Sequence, residues 1–206
     1  MIDSVDFSHF PVIWLIGTFI IWIVFATIGY LIATRKSKRP MVAFLTRFLI
    51  VFSLLFFVEF AIVCLWPSFH HAIQSRMAAV VGGILGLGGM DYSISGWTVV
   101  LPGSSLSFNI GTGCLGGELF CTYIALVFAE TAATGRQRLL GILVGLAILL
   151  AFNFFRITFS IYLEGLTGFN VHNVFYIFNM IFVLLVWLGW LWTIRRRPTR
   201  LAGAMP

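Results

Sequence analysis

The chain has 206 residues, of which 60% are hydrophobic and only 10% are charged, and its mean hydropathy is +1.03. A soluble domain cannot bury that much apolar surface, so the composition excludes an ordinary globular protein and indicates an integral membrane protein. The formal net charge of +6 does not indicate a nucleic-acid partner, because most basic residues lie in short segments between apolar stretches.

Five segments have the length and apolar character of a membrane span, which needs about 20 residues. They are Val12–Thr34, Val42–Trp66, Cys114–Ala132, Leu139–Leu163 and Val174–Ile194. The residues before the first segment are acidic, so we expect a retained span and not a cleaved signal peptide. The predicted fold is an all-α polytopic membrane protein that forms a single membrane domain over residues 1–206.

Basic residues set the expected orientation of the chain. Ten of the 13 Lys and Arg residues lie in three clusters, at residues 35–39, 136–138 and 195–200. With five spans, all three clusters fall on one side, which the positive-inside rule makes the cytoplasmic side. We therefore expect a protein of the cytoplasmic (inner) membrane, with its N-terminus and the loop 67–113 outside and its C-terminus in the cytoplasm.

The loop predicted over residues 67–113 has two parts. His71–Gly89 is apolar and rich in glycine, which favours an interfacial or re-entrant helix. Residues 90–113 contain β-branched and aromatic residues interrupted by glycine and proline, which predicts a short β-hairpin with two or three strands. This hairpin leads directly to Cys114, where the free N–H groups of a following helix would favour the thiolate.

Arg156 is the most unusual residue of the predicted fourth span, because ionisable groups inside a membrane are costly. It lies about 26 Å along a helix from Leu139, near the outer boundary of a hydrocarbon core about 30 Å thick. Asn153 shares its helix face. Arg156 either reaches the lipid headgroups, pairs with Glu164 or Glu118, or stabilises negative charge on a reacting carbonyl group.

His172 begins the predicted fifth span, where a histidine is often a helix cap or an interfacial residue. It is nevertheless expected at the same membrane level as Cys114 and Arg156, although the three residues belong to three different spans. The neighbouring histidines His70 and His71 have no carboxylates beside them, so we predict loop residues there and no metal site.

The chain has three cysteines and no CxxC motif. Cys64 and Cys121 are expected to be buried, inert thiols. Cys114 differs because Gly113, Gly116 and Gly117 leave its surroundings open, which makes it a candidate nucleophile. Glu118, one turn further on, would pair with Arg156 or position a proton, and Glu59 in the second span has no assigned role.

Three elements together resemble the exosortase/archaeosortase family. They are the sequence Gly-Cys-Leu-Gly at residues 113–116, the N-x-x-R element Asn153–Arg156, and a histidine, His172, that opens the last span. The resemblance covers about residues 85–194. It implies a membrane-embedded cysteine protease/transpeptidase that cleaves C-terminal sorting signals, each made of a short motif such as Pro-Glu-Pro, a hydrophobic helix and a basic tail.

The resemblance also implies a role for each candidate residue. Cys114 would be the nucleophile that forms the acyl-enzyme, Arg156 the oxyanion stabiliser, and His172 the acid/base or positioning residue. Supporting and substrate-binding positions would be Asn153, Glu118, Gly113, Gly116 and Gly117. The expected partners are membrane-anchored substrate proteins and the lipid bilayer, with no cofactor and no metal ion.

The residues alone leave two other functions open. One is a non-catalytic membrane subunit or small transporter in which Arg156, Asn153 and Glu118 line a polar path. The other is a quinone-coupled thiol redox enzyme, which would need Cys64 and Cys114 to act as a pair.

Overall fold

The computed structural model describes residue 27 and residues 40–102, 106–168 and 172–195. The elements in chain order are α1 (Pro40–Leu65), α2 (Pro67–Leu87), β1 (Ser93–Ser95), β2 (Thr98–Leu101), β3 (Leu106–Asn109), a 3₁₀ turn (Thr112–Leu115), α3 (Gly117–Ala129), α4 (Gly135–Thr167) and α5 (His172–Arg195). Apart from Thr27, the predicted first span, Val12–Thr34, lies outside the described residues.

Three of the described helices are long and apolar enough to cross a membrane, which supports a membrane protein. They are α1, α4 and the Phe178–Arg195 part of α5, and they coincide with three of the predicted spans. The predicted span at Cys114–Ala132 is wrong in its extent, because α3 has only 13 residues. At about 1.5 Å per residue it is about 20 Å long, shorter than the hydrocarbon core of about 30 Å. Four of the five predicted spans fall in the part of the chain that the structure describes, and three helices there are long enough to cross a membrane.

Helix α4 has well-defined signals at both ends. Thr134 and Gln137 form a capping box, in which each side chain bonds the backbone N–H of the other. The helix ends at Gly168, whose φ of 71° is the left-handed conformation that glycine adopts most easily. Its 33 residues make it about 50 Å long, so part of it extends beyond a hydrocarbon core of about 30 Å.

The region between α1 and α3 contains the helix and the small sheet that the sequence predicts. Helix α2 starts earlier than expected because Pro67 occupies its first turn, where a missing N–H costs nothing. His70 and His71, predicted as loop residues, therefore lie inside this helix. The predicted β-hairpin is a three-stranded antiparallel sheet in the order β1-β2-β3.

Two clusters of buried side chains hold the fold together. The first joins α2, β2, the 3₁₀ turn and α4, and consists of Met77, Ala78, Val81, Leu85, Val99, Leu101, Ile110, Cys114, Ile157 and Ile161. The second joins α3, α4 and α5, and consists of Leu119, Tyr123, Leu126, Val127, Leu149 and Val183. The two clusters use opposite halves of α4, and only the first contains a cysteine.

Candidate functional site

Cys114 lies in the 3₁₀ turn that precedes α3. Its backbone N–H donates a hydrogen bond to the Gly111 carbonyl at 3.0 Å, and the residue is only 8% exposed. Gly116 follows in the left-handed conformation, with φ of 77°, and redirects the chain before α3 begins. Cys114 therefore belongs to its own turn and is not the first residue of a long helix.

The side chain of Asn153 connects this turn to Arg156. Its Nδ2 donates to the Cys114 carbonyl oxygen at 2.8 Å, and its Oδ1 accepts a bond from Arg156 Nη2 at 3.1 Å. Both residues on α4 are almost fully buried, with exposed fractions of 0% for Asn153 and 1% for Arg156. The amide thus fixes the backbone of the cysteine and the orientation of the guanidinium at the same time.

Gly116 is the residue that lets this amide approach the turn. A Cβ atom at Gly116 would lie 3.0 Å from Asn153 Nδ2, which is tighter than ordinary van der Waals contact. The glycine that the resemblance places near the substrate is therefore covered by Asn153. Its absent side chain makes room for the hydrogen bond between the Asn153 amide and the Cys114 carbonyl.

Opposing effects act on the Cys114 thiol. Burial raises the pKa of this thiol above its ordinary value, while the positive charge of Arg156 and a hydrogen bond between the thiol and the Gly111 backbone lower it by a smaller amount. The pKa of Cys114 is raised overall, so the thiol is neutral near pH 7. The expectation that the start of a helix favours the thiolate is therefore wrong for the free protein, because desolvation is the larger effect.

A cavity of about 240 Å³ gives access to Cys114. One wall is strand β3 with Ile110, and the other is a face of α4 formed by Ile157, Ser160, Ile161 and Glu164. Ser160 donates its hydroxyl hydrogen to the Arg156 carbonyl at 2.8 Å, so its oxygen can still accept a hydrogen bond. The cavity is large enough for a short stretch of peptide beside the thiol.

The carboxyl groups of Glu59 and Glu118 line a second cavity, of about 160 Å³, together with Thr112 and Gly113. The Glu59 carboxyl group packs directly against Gly117, where any side chain would collide with it. Glu59, which the sequence left without a role, therefore joins α1 to the start of α3. Glu118 lies beside α1 in this cavity, and its expected pairing with Arg156 stays a prediction.

Several other candidate residues lie apart from this arrangement. His172 is the first residue of α5, but its side chain lies outside the described part of the structure, so its expected role stays a prediction. Cys64 and Cys121 are free thiols, and the Cys121 sulfur lies 3.7 Å from Glu59 Oε2. In the described residues, no group of three or more His, Cys, Asp or Glu side chains is placed to hold a metal ion.

Sequence reasoning missed the burial of His70. Its side chain is 6% exposed, and its Nε2 atom has no hydrogen-bond partner in the described residues. Burial and the neighbouring His71 lower the pKa of His70, so its ring is neutral at pH 7. The spacing of His70, Gln74 and Met77 on one helix face is the signal that could have revealed this.

Comparisons of this chain with known protein families, with curated proteins and with solved structures give no match.

Proposed function

We propose that this protein is a membrane-embedded cysteine protease/transpeptidase that cleaves C-terminal sorting signals of exported proteins through an acyl-enzyme on Cys114. The observation that carries the proposal is the Asn153 amide, which joins the Cys114 backbone to the Arg156 guanidinium. A buried cation fixed beside a thiol, with a cavity open to that thiol, is an arrangement suited to acyl transfer.

The reaction begins with loss of the Cys114 proton to a base, for which His172 is the expected residue. The sulfur then attacks the carbonyl carbon of the scissile peptide bond, and the carbonyl oxygen becomes an oxyanion. Arg156 stabilises this negative charge. The C–N bond breaks, the departing amine takes up the proton from the base, and a thioester remains on Cys114.

A second nucleophile completes the cycle. Water, or the primary amine of an acceptor molecule, attacks the thioester carbonyl, and the C–S bond breaks. The Cys114 thiol is restored when the sulfur regains a proton. With water the net reaction is hydrolysis of the substrate peptide bond, and with an amine it is transfer of the substrate to the acceptor.

The raised pKa of Cys114 fits a site that becomes active only when it is occupied. In the free protein the thiol is neutral, which protects it from oxidation and from unrelated electrophiles. A base such as His172 would remove the proton once the scissile carbonyl lies beside the sulfur. Arg156 is already buried and oriented, so its positive charge needs little rearrangement during the reaction.

The expected membrane topology would place Cys114 near the point where the cleavage site of a membrane-anchored substrate leaves the bilayer. We propose that the sheet and α2 lie on the outer side of the cytoplasmic membrane. Helix α3, although short, then carries the chain back to the start of α4 on the inner side, which leaves the C-terminus in the cytoplasm. A substrate with a hydrophobic helix and a basic tail would then be held across the bilayer. Its cleavage site would arrive next to the segment that carries Cys114.

The test uses the full chain in lipid vesicles and two readouts. In the first, iodoacetamide labels the protein, and peptide mass spectrometry gives the labelling rate of each cysteine between pH 6 and 10. We expect the labelling rate of Cys114 to depend on Arg156. In the second, membranes contain a reporter protein that ends in a short motif, a hydrophobic helix and a basic tail, and we expect Cys114→Ser to abolish its cleavage.

The control variant is Cys121→Ser, which removes a buried thiol on α3 and should leave cleavage intact. Cleavage that survives Cys114→Ser would contradict the proposal. So would a Cys114 labelling rate that does not change when Arg156 is replaced by glutamine. The first outcome would mean that another nucleophile cleaves the reporter, and the second would favour a non-catalytic membrane subunit.

A further inference from the structure

Strand β3 is an edge strand whose second edge faces the cavity of Cys114. Antiparallel pairing with β2 places Thr98 opposite Asn109 and Leu101 opposite Leu106. The N–H of Ile110 donates to the Trp97 carbonyl at 3.0 Å, one step beyond this ladder. In an antiparallel ladder every second residue of a strand forms backbone hydrogen bonds with the same neighbouring strand. Phe108 and Leu106, two and four residues before Ile110, therefore also bond to β2.

The intervening residues of β3 therefore direct their backbone groups away from β2. The N–H groups of Ser107 and Asn109, and the carbonyl of Ser107, point to the second edge. In the described residues the sheet has three strands and β3 is at its end. Such an edge is a ready template for an extended peptide, because the peptide can satisfy these groups by backbone hydrogen bonds.

Helix α4 forms the opposite wall and fixes the direction of the groove. Asn153 contacts Cys114, whereas Gly165 lies against Leu101, which pairs with the first residue of β3. The groove therefore has Cys114 at one end and Glu164 at the other. The Glu164 side chain is partly buried and lines the cavity.

We propose that this groove, bounded by β3 and by Ile157, Ser160, Ile161 and Glu164, binds the extended peptide that precedes the cleavage site and selects a basic side chain through Glu164. The proposal rests on the proposed function, since it assigns the substrate segment of that same site. The peptide lies beside β3 as a fourth strand. Because it ends at Cys114, it runs parallel to β3.

The spacing on α4 gives the position of the basic side chain. Glu164 is eight residues after Arg156, about 12 Å along the helix at about 1.5 Å per residue. An extended peptide advances about 3.3 Å per residue. The selected side chain is therefore three or four residues before the scissile bond.

The negative charge of Glu164 favours a basic substrate side chain over an acidic one. A lysine or arginine at this position gains an ion pair with Glu164 at the end of the groove. A glutamate would place two negative charges side by side, which is unfavourable. The groove therefore disfavours an acidic motif such as Pro-Glu-Pro if its glutamate occupies this position.

The experiment measures peptide binding, so it does not depend on catalysis. The probes are two fluorescein-labelled peptides of otherwise identical threonine- and valine-rich sequence, with Lys or Glu four residues before the C-terminal amide. Each is titrated against the full chain carrying Cys114→Ala, in detergent micelles, and fluorescence anisotropy gives Kd. We expect the Lys peptide to bind at least about 10-fold more tightly than the Glu peptide.

Two changes to the protein test the assignment of the two walls. Glu164→Gln should bring the two Kd values to within about 2-fold, and Glu164→Lys should reverse their order. Ser107→Pro should weaken both peptides about 10-fold or more, because it removes an N–H from the second edge of β3. It removes no hydrogen bond of the ladder with β2, so the fold should persist, and thermal unfolding checks this.

The matched control is Ile94→Pro, at the central residue of β1 on the far edge of the sheet, which should leave both Kd values unchanged. Equal binding of the two peptides, no binding up to millimolar concentration, or an equal effect of Ile94→Pro and Ser107→Pro would overturn the proposal. If the Lys peptide binds as expected but the labelling rate of Cys114 is independent of Arg156, the groove stands and the proposed catalytic function fails.

Discussion

The two halves of helix α4 are packed on different principles. In the half that contains Gly141 and Gly145, aromatic rings fill the space left by absent side chains: a Cβ at Gly141 would collide with Trp190, and one at Gly145 with Tyr123. In the half that contains Asn153 and Arg156, these two buried polar side chains are joined by a hydrogen bond, and Ser160 one turn later lines the cavity of Cys114.

This difference separates a half of α4 that is held by rings packed on glycines from a half that carries buried, hydrogen-bonded polar groups. Gly141 and Gly145 form the small-xxx-small pattern by which helices approach closely in a membrane, and here side chains of α3 and α5 fill that space. The polar half is costly to bury and has room beside it. Replacement of a buried charged network by well-packed apolar side chains is often neutral or stabilising.

The largest effect on stability is expected for Asn153→Leu. The Cys114 carbonyl and Arg156 Nη2 each lose a hydrogen bond to Asn153 in a buried site, and each loss costs about 1–3 kcal/mol. We therefore expect the free energy of unfolding to fall by about 3 kcal/mol. Denaturant unfolding of the purified protein in micelles measures the change.

The matched control for this variant is Asn179→Leu on α5. Asn179 is 3% exposed, and its Oδ1 accepts no hydrogen bond from the described residues. Removing this oxygen, which has no partner in the described residues, should be neutral or stabilising. Similar losses for the two variants would mean that the hydrogen bonds of Asn153 make no specific contribution to stability.

The opposite half of α4 is tested by Gly145→Ala. One added methyl group must displace the ring of Tyr123, and overpacking of this kind costs about 1–3 kcal/mol. We expect a loss near 2 kcal/mol in the free energy of unfolding. Gly189→Ala on α5 is the control, because its Cβ meets no atom within 4 Å and alanine favours a helix by up to about 1 kcal/mol.

The charge in the polar half is tested by the pH dependence of Cys114 alkylation. Burial raises the pKa of this thiol and Arg156 lowers it, so Arg156→Gln should raise the pKa further. The thiolate fraction at pH 7.5 then falls, and the rate with iodoacetamide should decrease about 10-fold, which corresponds to about 1.4 kcal/mol. The whole rate profile should move to higher pH.

Arg156→Lys is the control for this measurement because it keeps the positive charge. Its profile should lie between those of the wild type and Arg156→Gln. A profile that is unchanged in both variants would mean that the guanidinium does not act on the thiol. The raised pKa also makes the stability depend on pH. The folded state favours the neutral thiol, so the contribution of Cys114 to the free energy of unfolding is lost as the pH rises above the ordinary thiol pKa of about 8.5.

The sequence predicts features that depend on neighbouring residues better than features that depend on contacts between distant residues. Hydropathy identifies α1, α4 and α5, and glycine and proline identify the small sheet, because these signals are local. The segment at Cys114–Ala132 reads as one apolar span, and only the left-handed turn at Gly116 divides it. That turn depends on its contact with Asn153, which lies 37 residues after Gly116, so the sequence around Gly116 does not predict the turn.

The same reasoning applies to the candidate site. Cys114, Asn153 and Arg156 were predicted together, and the structure connects them. The contact between Glu59 and Gly117 was not predictable, because it depends on how α1 packs against α3. The pKa direction of Cys114 was also missed, since burial by the first cluster outweighs both the local turn and Arg156.

The smallest expected effect is that of Tyr123→Phe, in the glycine-packed half of α4. The Tyr123 hydroxyl donates to the Gly141 carbonyl at 2.8 Å, and losing such a bond costs about 1 kcal/mol. The ring stays in place against Gly145, so the loss should be about half that of Gly145→Ala. Chemical denaturation of both variants measures the ratio.

Tyr92→Phe provides the control for the hydroxyl group. The Tyr92 ring also packs on glycines, Gly82 and Gly86 of α2, and its side chain is 37% exposed. Its stability should change by less than about 0.5 kcal/mol. If Tyr123→Phe instead costs as much as Gly145→Ala, the glycine-packed half depends on its hydrogen bond as strongly as the polar half does, and the contrast between the two halves disappears.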